Sequence, residues 1–305
     1  MAPDIRCNSP LAWLLAARPK TLTGAAVPVM MALALAYHDL YTTGRSFNIT
    51  AGLLCLLFAF LMQIAANFVN DYFDFRQGSD DESRLGPKRA CAMHWVTEKA
   101  MLRAIALTLC LACAAGFPLI YWGGWQLIAI GAMCVIFCIL YTTYFSYRGL
   151  GDVLVLVFFG IVPVCTTYYI QTGCVTKEVF CSSVACGLVI DCLLMVNNYR
   201  DREGDKLHGK RTLVVLVGSS WAERLYWLLG LAGCLLGLVY LPQQRWATFC
   251  LPLIYLLLHT QTYRSMKRIH HGRALNAVLG ETARNIFIFG VLFSAGVLVD
   301  VIVIF

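Results

Sequence analysis

The sequence predicts an all-α, polytopic membrane protein: nine transmembrane helices in a bundle around a central cavity, forming one domain over residues 1–305. Three observations carry this. The chain is 59% hydrophobic and 13% charged, with a mean hydropathy of +0.69, whereas soluble globular chains run at roughly 45–50% apolar and about 25% charged. It contains nine apolar runs, each near the ~20 residues that a helix needs to cross a bilayer's hydrocarbon core. If all nine cross, 21 of the 24 Lys and Arg residues fall on one side, the excess that marks cytoplasmic loops. The expected location is the cell's inner membrane, with the N-terminus and the charged loops in the cytoplasm. The same segregation accounts for the net charge of +7 and removes nucleic acid as a partner.

The runs lie at 21–38, 49–69, 101–121, 124–143, 151–170, 178–197, 222–241, 246–263 and 284–304. Arg18-Pro19-Lys20 precedes the first, so the N-terminus does not read as a cleavable secretory signal. The second has no charged residue, and Asn70 and Asp71 close it. Only Trp122-Gly123-Gly124-Trp125 separates the third and fourth, which reads as a tight turn with interfacial aromatics and hence a helical hairpin. A second acidic cluster, Asn197-Asn198-Tyr199-Arg200-Asp201-Arg202-Glu203-Gly204-Asp205, closes the sixth. The matching positions of the two clusters suggest a pseudo-repeat of two four-helix units, about 20–143 and 151–263, with a ninth helix appended. The basic segment 264–284 reads as a mobile connection lying on anionic headgroups. Cys110 and Cys113 have CxxC spacing but no His or carboxylate partner, so they read as packing residues, as do the other cysteines.

The acidic clusters carry the chemistry. Residues three or four apart share a helix face, which pairs Asp71 with Asp74, and Asp201 with Asp205 and Asn198. Unpaired carboxylates are costly at a membrane boundary. All-oxygen donors suit a hard cation such as Mg²⁺, bound through one or two carboxylates together with phosphate oxygens and water. A diphosphate held between the two halves follows, and in a membrane cavity its natural carrier is a lipid. Lys20, Arg76, Lys88, Arg89, Arg148, Arg200, Arg202, Lys206, Lys210 and Arg211 share that side, and a subset of them can contact phosphate. Ionisation of the carbon–oxygen bond then calls for an apolar, aromatic surround, for which Phe68, Tyr72, Phe73, Tyr141, Tyr144, Phe158, Phe159, Tyr168 and Tyr169 are candidates.

Several stretches together resemble the UbiA superfamily of membrane prenyltransferases: Trp13 to Leu22, the first acidic cluster continuing to Arg89, Tyr147 to Asp152 leading into Phe158-Phe159-Gly160, Tyr168 to Thr172, Asn197 to Asp205, and Gly209 to Leu213. Within that superfamily the resemblance is to the branch that prenylates 1,4-dihydroxy-2-naphthoate. It implies Mg²⁺-dependent binding of a polyprenyl diphosphate and transfer of the prenyl group to an aromatic acceptor with loss of CO₂, giving a demethylmenaquinone. By similarity, Asn70, Asp71 and Asp74 hold one metal and Asn198, Asp201 and Asp205 the other, with Asp71, Asp74, Asp201 and Asp205 as the catalytic acids. Lys20, Tyr141 and Arg148 are diphosphate or pocket contacts by the same similarity; Asn70, Arg76, Lys88, Arg89, Asn197, Asn198 and Lys206 complete the candidate substrate-binding set.

The sequence departs from the superfamily pattern in three places. Gly78 stands where the first cluster would have its last aspartate, with Asp80 and Asp81 following it. Arg148 replaces the lysine of a Tyr-x-x-x-Lys element, and His94-Trp95 stands where a glycine turn is expected. Other acceptors within the class are 4-hydroxybenzoate, homogentisate and haem. A secondary transporter is the reading from a different class, opposed by acids that lie at helix ends and not in mid-span. The CDP-alcohol phosphotransferases need Asp-Gly followed by Ala-Arg, which Asp71-Tyr72 and Asp201-Arg202 do not supply.

Overall fold

In hydrocarbon each unpaired backbone N–H or C=O costs several kcal/mol, so a chain this apolar must close its hydrogen bonds within helices. A computed structural model describes residues 5–78, 85–145 and 148–303, and every regular element among them is helical. We label them α1 (Pro10–Thr42), α2 (Ile49–Arg76), α3 (Glu98–Gly123), α4 (Gln126–Phe145), α5 (Gly151–Thr172), α6 (Lys177–Leu207), α7 (Ser219–Gln243) and α9 (Leu275–Ile302), all long and apolar enough to span a membrane. Between the last two lies α8, which is Trp246–Cys250 followed by Leu253–Ile269. Its break falls at Leu251-Pro252, where proline has no N–H to continue the ladder.

The starts of the helices are written locally. Asn48, Thr97 and Thr176 cap α2, α3 and α6, accepting from Ala51, Ala100 and Val179 N–H groups at 2.9, 3.3 and 3.3 Å. The turn between α3 and α4 is made by Gly124 at φ +79°. His94, in the glycine-expected turn before α3, has φ +55°, a left-handed conformation that glycine takes freely and histidine tolerates.

Two features differ from the sequence expectation. Helices α2 and α6 continue past residues 69 and 197 to Arg76 and Leu207, so the acidic clusters ride on the last turns of long helices. Segment 264–284 is almost entirely helical, because α8 extends to Ile269 and α9 begins at Leu275. Leu275, Val278 and Met266 are fully buried, and this anchoring orders the segment despite its charge.

Helix α6 is the centre: 67% of its most apolar window is buried, against 11% for α4, which therefore faces lipid. Against α6 pack α5, α7 and α9. The α5–α6 approach is backbone to backbone, since a Cβ on Gly160 would fall 2.5 Å from the Ser183 carbonyl oxygen and 2.7 Å from the Gly187 Cα. Small residues permit such contact between membrane helices. At the end of the bundle opposite the acidic clusters, buried polar groups satisfy one another. Tyr168 donates to Asp39 at 2.6 Å, and Asp300 accepts from the Ala247 and Thr248 N–H groups at 3.1 and 2.8 Å.

Replacing Gly160 with Ala should overpack this contact and cost about 1–3 kcal/mol. The same change at Gly131, which has nothing within 4 Å of the new Cβ, should leave stability unchanged or raised. Thermal midpoints of the two variants in one detergent check the contrast.

Candidate functional site

The acidic ends of α2 and α6 open onto one cavity of about 400 Å³. Asn70 and Asp74 reach it from α2, and Asn197, Asn198, Asp201, Glu203 and Asp205 from α6. The rest of its wall comes from Arg89, from Tyr141 and Thr142 on α4, from Asp152 at the start of α5, and from His208, Lys210 and Thr212 after α6. Tyr141 and Thr142 stand on a π-helical turn that ends α4, an irregularity frequent at functional sites.

Asp71 and Asp74 do not share the cavity. Asp71 is 1% exposed, and its two oxygens accept the Ala90 and Cys91 N–H groups at 3.0 and 2.9 Å. Its carboxylate therefore fixes the loop before α3. The α2 pair that faces the cavity is Asn70 and Asp74, at i and i+4, with Asp71 about 100° around the helix from Asn70. On α6 the corresponding set is Asn197, Asp201 and Asp205, at i, i+4 and i+8. Asp80 and Asp81 lie outside the described residues.

Each cavity carboxylate of the two clusters has a cation. Asp74 receives the Arg89 guanidinium at 2.8 Å, and both side chains are largely buried. Asp201 lies in the fork of Arg200, which is 2% exposed. The same guanidinium donates to Asn197 and Asn276 at 2.8 Å each. Asn276 in turn donates to the Leu85 carbonyl at 2.8 Å, so one chain of bonds joins α6, α9 and the loop carrying Arg89. Asp205 has the loosest partner, Lys210 at 4.0 Å. Asn70 accepts from the Thr142 hydroxyl, tying α2 to α4.

Of the predicted phosphate-binding bases, Arg89 and Lys210 line the cavity. Arg76 pairs with Glu98 at 3.2 Å, and Arg148 stacks 4.0 Å from the centre of the Tyr144 ring. These two are exposed, as are Lys20, Lys88 and Lys206, where hydration of the charge is retained. Among the candidate aromatics only Tyr141 is on the cavity wall; Phe68, Tyr72 and Phe73 pack beneath Ala12 and Ala16 of α1, and Tyr168 belongs to the Asp39 network. Sequence reasoning did not single out Asp152, Thr142, Glu203 or Thr212 as site residues: Glu203, Asp152 and Thr212 stand inside stretches noted for other reasons, Thr142 carries no local pattern, and tertiary packing brings all four to the cavity.

The donors suit a hard divalent cation: carboxylate and amide oxygens from two helices, oriented by buried arginines as outer partners usually orient metal ligands. Among the described residues no three His, Cys, Asp or Glu side chains form a ready-made cage. Mg²⁺ does not need one when phosphate and water complete its octahedron.

The chain matches the UbiA prenyltransferase family over residues 22–298. It is 36% identical over 222 residues to the 1,4-dihydroxy-2-naphthoate octaprenyltransferase of Escherichia coli, covering 70% of each chain. To the Haemophilus influenzae protein of the same name it is 32% identical over 302 residues, covering 94% of this chain and 96% of that one. Its fold is similar to a UbiA homolog from Archaeoglobus fulgidus bound to GPP and Mg²⁺, with a TM-score of 0.61 and 11% identity, covering 95% of this chain and 99% of the other.

Replacing Asp71 with Ala strips the acceptor from two buried N–H groups, at roughly 1–3 kcal/mol for each group left unsatisfied. The expected result is a lower thermal midpoint and faster proteolysis between residues 85 and 97. Lys20→Ala, at an exposed site, should change neither.

Proposed function

Because the chain belongs to the UbiA prenyltransferase family, we propose that it transfers a polyprenyl group from a polyprenyl diphosphate to 1,4-dihydroxy-2-naphthoate, with loss of CO₂, as a step of menaquinone synthesis in the inner membrane. Family membership also sets aside the transporter reading. The observation that carries the proposal is the meeting of Asn70 and Asp74 with Asn197, Asp201 and Asp205 on one cavity at the end of an apolar bundle. The names of the bacterial relatives support the acceptor, and the GPP and Mg²⁺ of the structural relative support the diphosphate and the metal.

In this reading Asp74, Asp201 and Asp205, with Asn70, Asn197 and Asn198, would hold Mg²⁺, which would supply positive charge against the diphosphate as it departs. Asp71 acts at one remove, by fixing the loop that presents Arg89. Arg89 and Lys210 are the cations on the cavity wall itself, placed to neutralise phosphate oxygens as the carbon–oxygen bond breaks. Tyr141 and the apolar Leu194 are on the cavity wall, where they would flank the reacting carbon and limit access of water to it. The acceptor ring carbon bonds to the prenyl carbon; its bond to the carboxylate then breaks, the electron pair returns to the ring, and CO₂ leaves. Diphosphate is the other product and the ring keeps both hydroxyls, so what forms is the reduced, quinol form of a demethylmenaquinone, and atoms and charge balance without a further reagent.

Purified protein given Mg²⁺, polyprenyl diphosphate and 1,4-dihydroxy-2-naphthoate should release diphosphate and CO₂, and EDTA should abolish both. Asp74→Ala or Asp201→Ala should lower kcat/KM by roughly 100-fold or more. Turnover within about twofold of wild type would overturn the assignment of these residues.

A further inference from the structure

Two further carboxylates have no ion-pair partner among the described residues. Asp191 lies ten residues before Asp201 on α6, about 15 Å further along the helix, and is 5% exposed. It faces Asp152 of α5 closely enough for the two charges to interact. Each has a buried Oδ1 with no hydrogen-bond partner among the described residues, unlike Asp74, Asp201 and Asp205, whose cations have been described. Asp152 and Tyr141 line the inner wall of the cavity, and the Tyr141 phenol is within electrostatic reach of Asp74, Asp152 and Asp191 together.

Two carboxylates that each bury an unsatisfied oxygen in a membrane interior are expensive: each loses hydration, and like charges add repulsion. Such groups mark function more often than packing. A carboxylate only accepts hydrogen bonds, so whatever completes this pair must bring O–H or N–H donors. Asp152 carries the pair to the wall of the cavity in which the prenyl group would be released, and the acceptor proposed above is a ring with two hydroxyls. We propose that Asp152 and Asp191 form the subsite that binds the aromatic acceptor through a ring hydroxyl, with the Tyr141 phenol beside it, and so select hydroxylated rings and set which carbon faces the prenyl group. A hydroxyl donating to a carboxylate makes a short, charge-assisted bond and enriches the ring in electrons where it must attack. The inference rests on the prenyl-transfer reading and assigns the acceptor end of it.

The test compares 1,4-dihydroxy-2-naphthoate with its two mono-O-methyl ethers in the full-length protein. Wild type should discriminate against at least one ether by roughly 10–100-fold in kcat/KM, the worth of a hydrogen bond to a charged group. Asp152→Asn and Asp191→Asn should raise KM for the acceptor about tenfold or more and shrink that discrimination to within about threefold, with KM for the polyprenyl diphosphate and the thermal midpoint little changed. The subsite is overturned if wild type uses both ethers as well as the parent, a result that needs no variant to fold. It is equally overturned if the variants move both KM values together, or leave the discrimination intact. If wild type forms no prenyl product with any hydroxylated ring, the reading of the activity fails first, and the subsite with it.

Discussion

A charge buried against hydrocarbon must find an opposite charge or a hydrogen-bond donor within reach, and the site depends on how α6 meets this requirement. The most buried span of the bundle carries Arg200 and Asp201 side by side near its C-terminal end. The Arg200 fork neutralises Asp201 and uses its remaining donors on Asn197 and Asn276. Removing one member of such a buried pair usually costs more than the pair itself contributes. Arg200 thus holds the α6 donors on one face while bracing α6 against α9, and through Asn276 and Leu85 it reaches the loop that presents Arg89. The arginines that look in the sequence like phosphate ligands divide into those that hold the site together and those left at its rim.

The same logic separates the two neighbouring aspartates of α2. Asp71 has both oxygens committed to backbone N–H groups and is turned away from the cavity, whereas Asp74 has a side-chain partner and a view of the cavity. Loop 85–97 is therefore fixed by one carboxylate so that its arginine can meet the other. Dividing the roles in this way keeps a charged loop registered on a helix end without crowding the cavity.

Much of this is legible in the sequence. Nine apolar runs, their Lys and Arg asymmetry and the caps Asn48, Thr97 and Thr176 depend on local composition, and the helices follow them. The two acidic clusters are equally plain, because carboxylates at the ends of apolar runs need an explanation. What the sequence does not disclose is rotation. Spacing alone allows Asp71 to pair with Asp74 or Asn70 to do so, and only the backbone of residues 90 and 91, twenty positions away, decides. Likewise 264–284 looks like a loop by charge, and is helical because Met266, Leu275 and Val278 have a core to enter. Nothing in the sequence pairs Asp152 with Asp191, 39 residues on; the close α5–α6 approach at Gly160 and Gly187, where two backbones touch, brings their helices together.

Helix α4 has a consequence of a different kind. It is the span least covered by protein, yet its final turn supplies Tyr141 and Thr142 to the cavity. On that flank a helix that faces lipid on one side lines the cavity on the other. The thickness and lateral pressure of the bilayer are therefore part of the geometry of the site, and a detergent micelle alters the shape of the cavity as a mutation in its wall would.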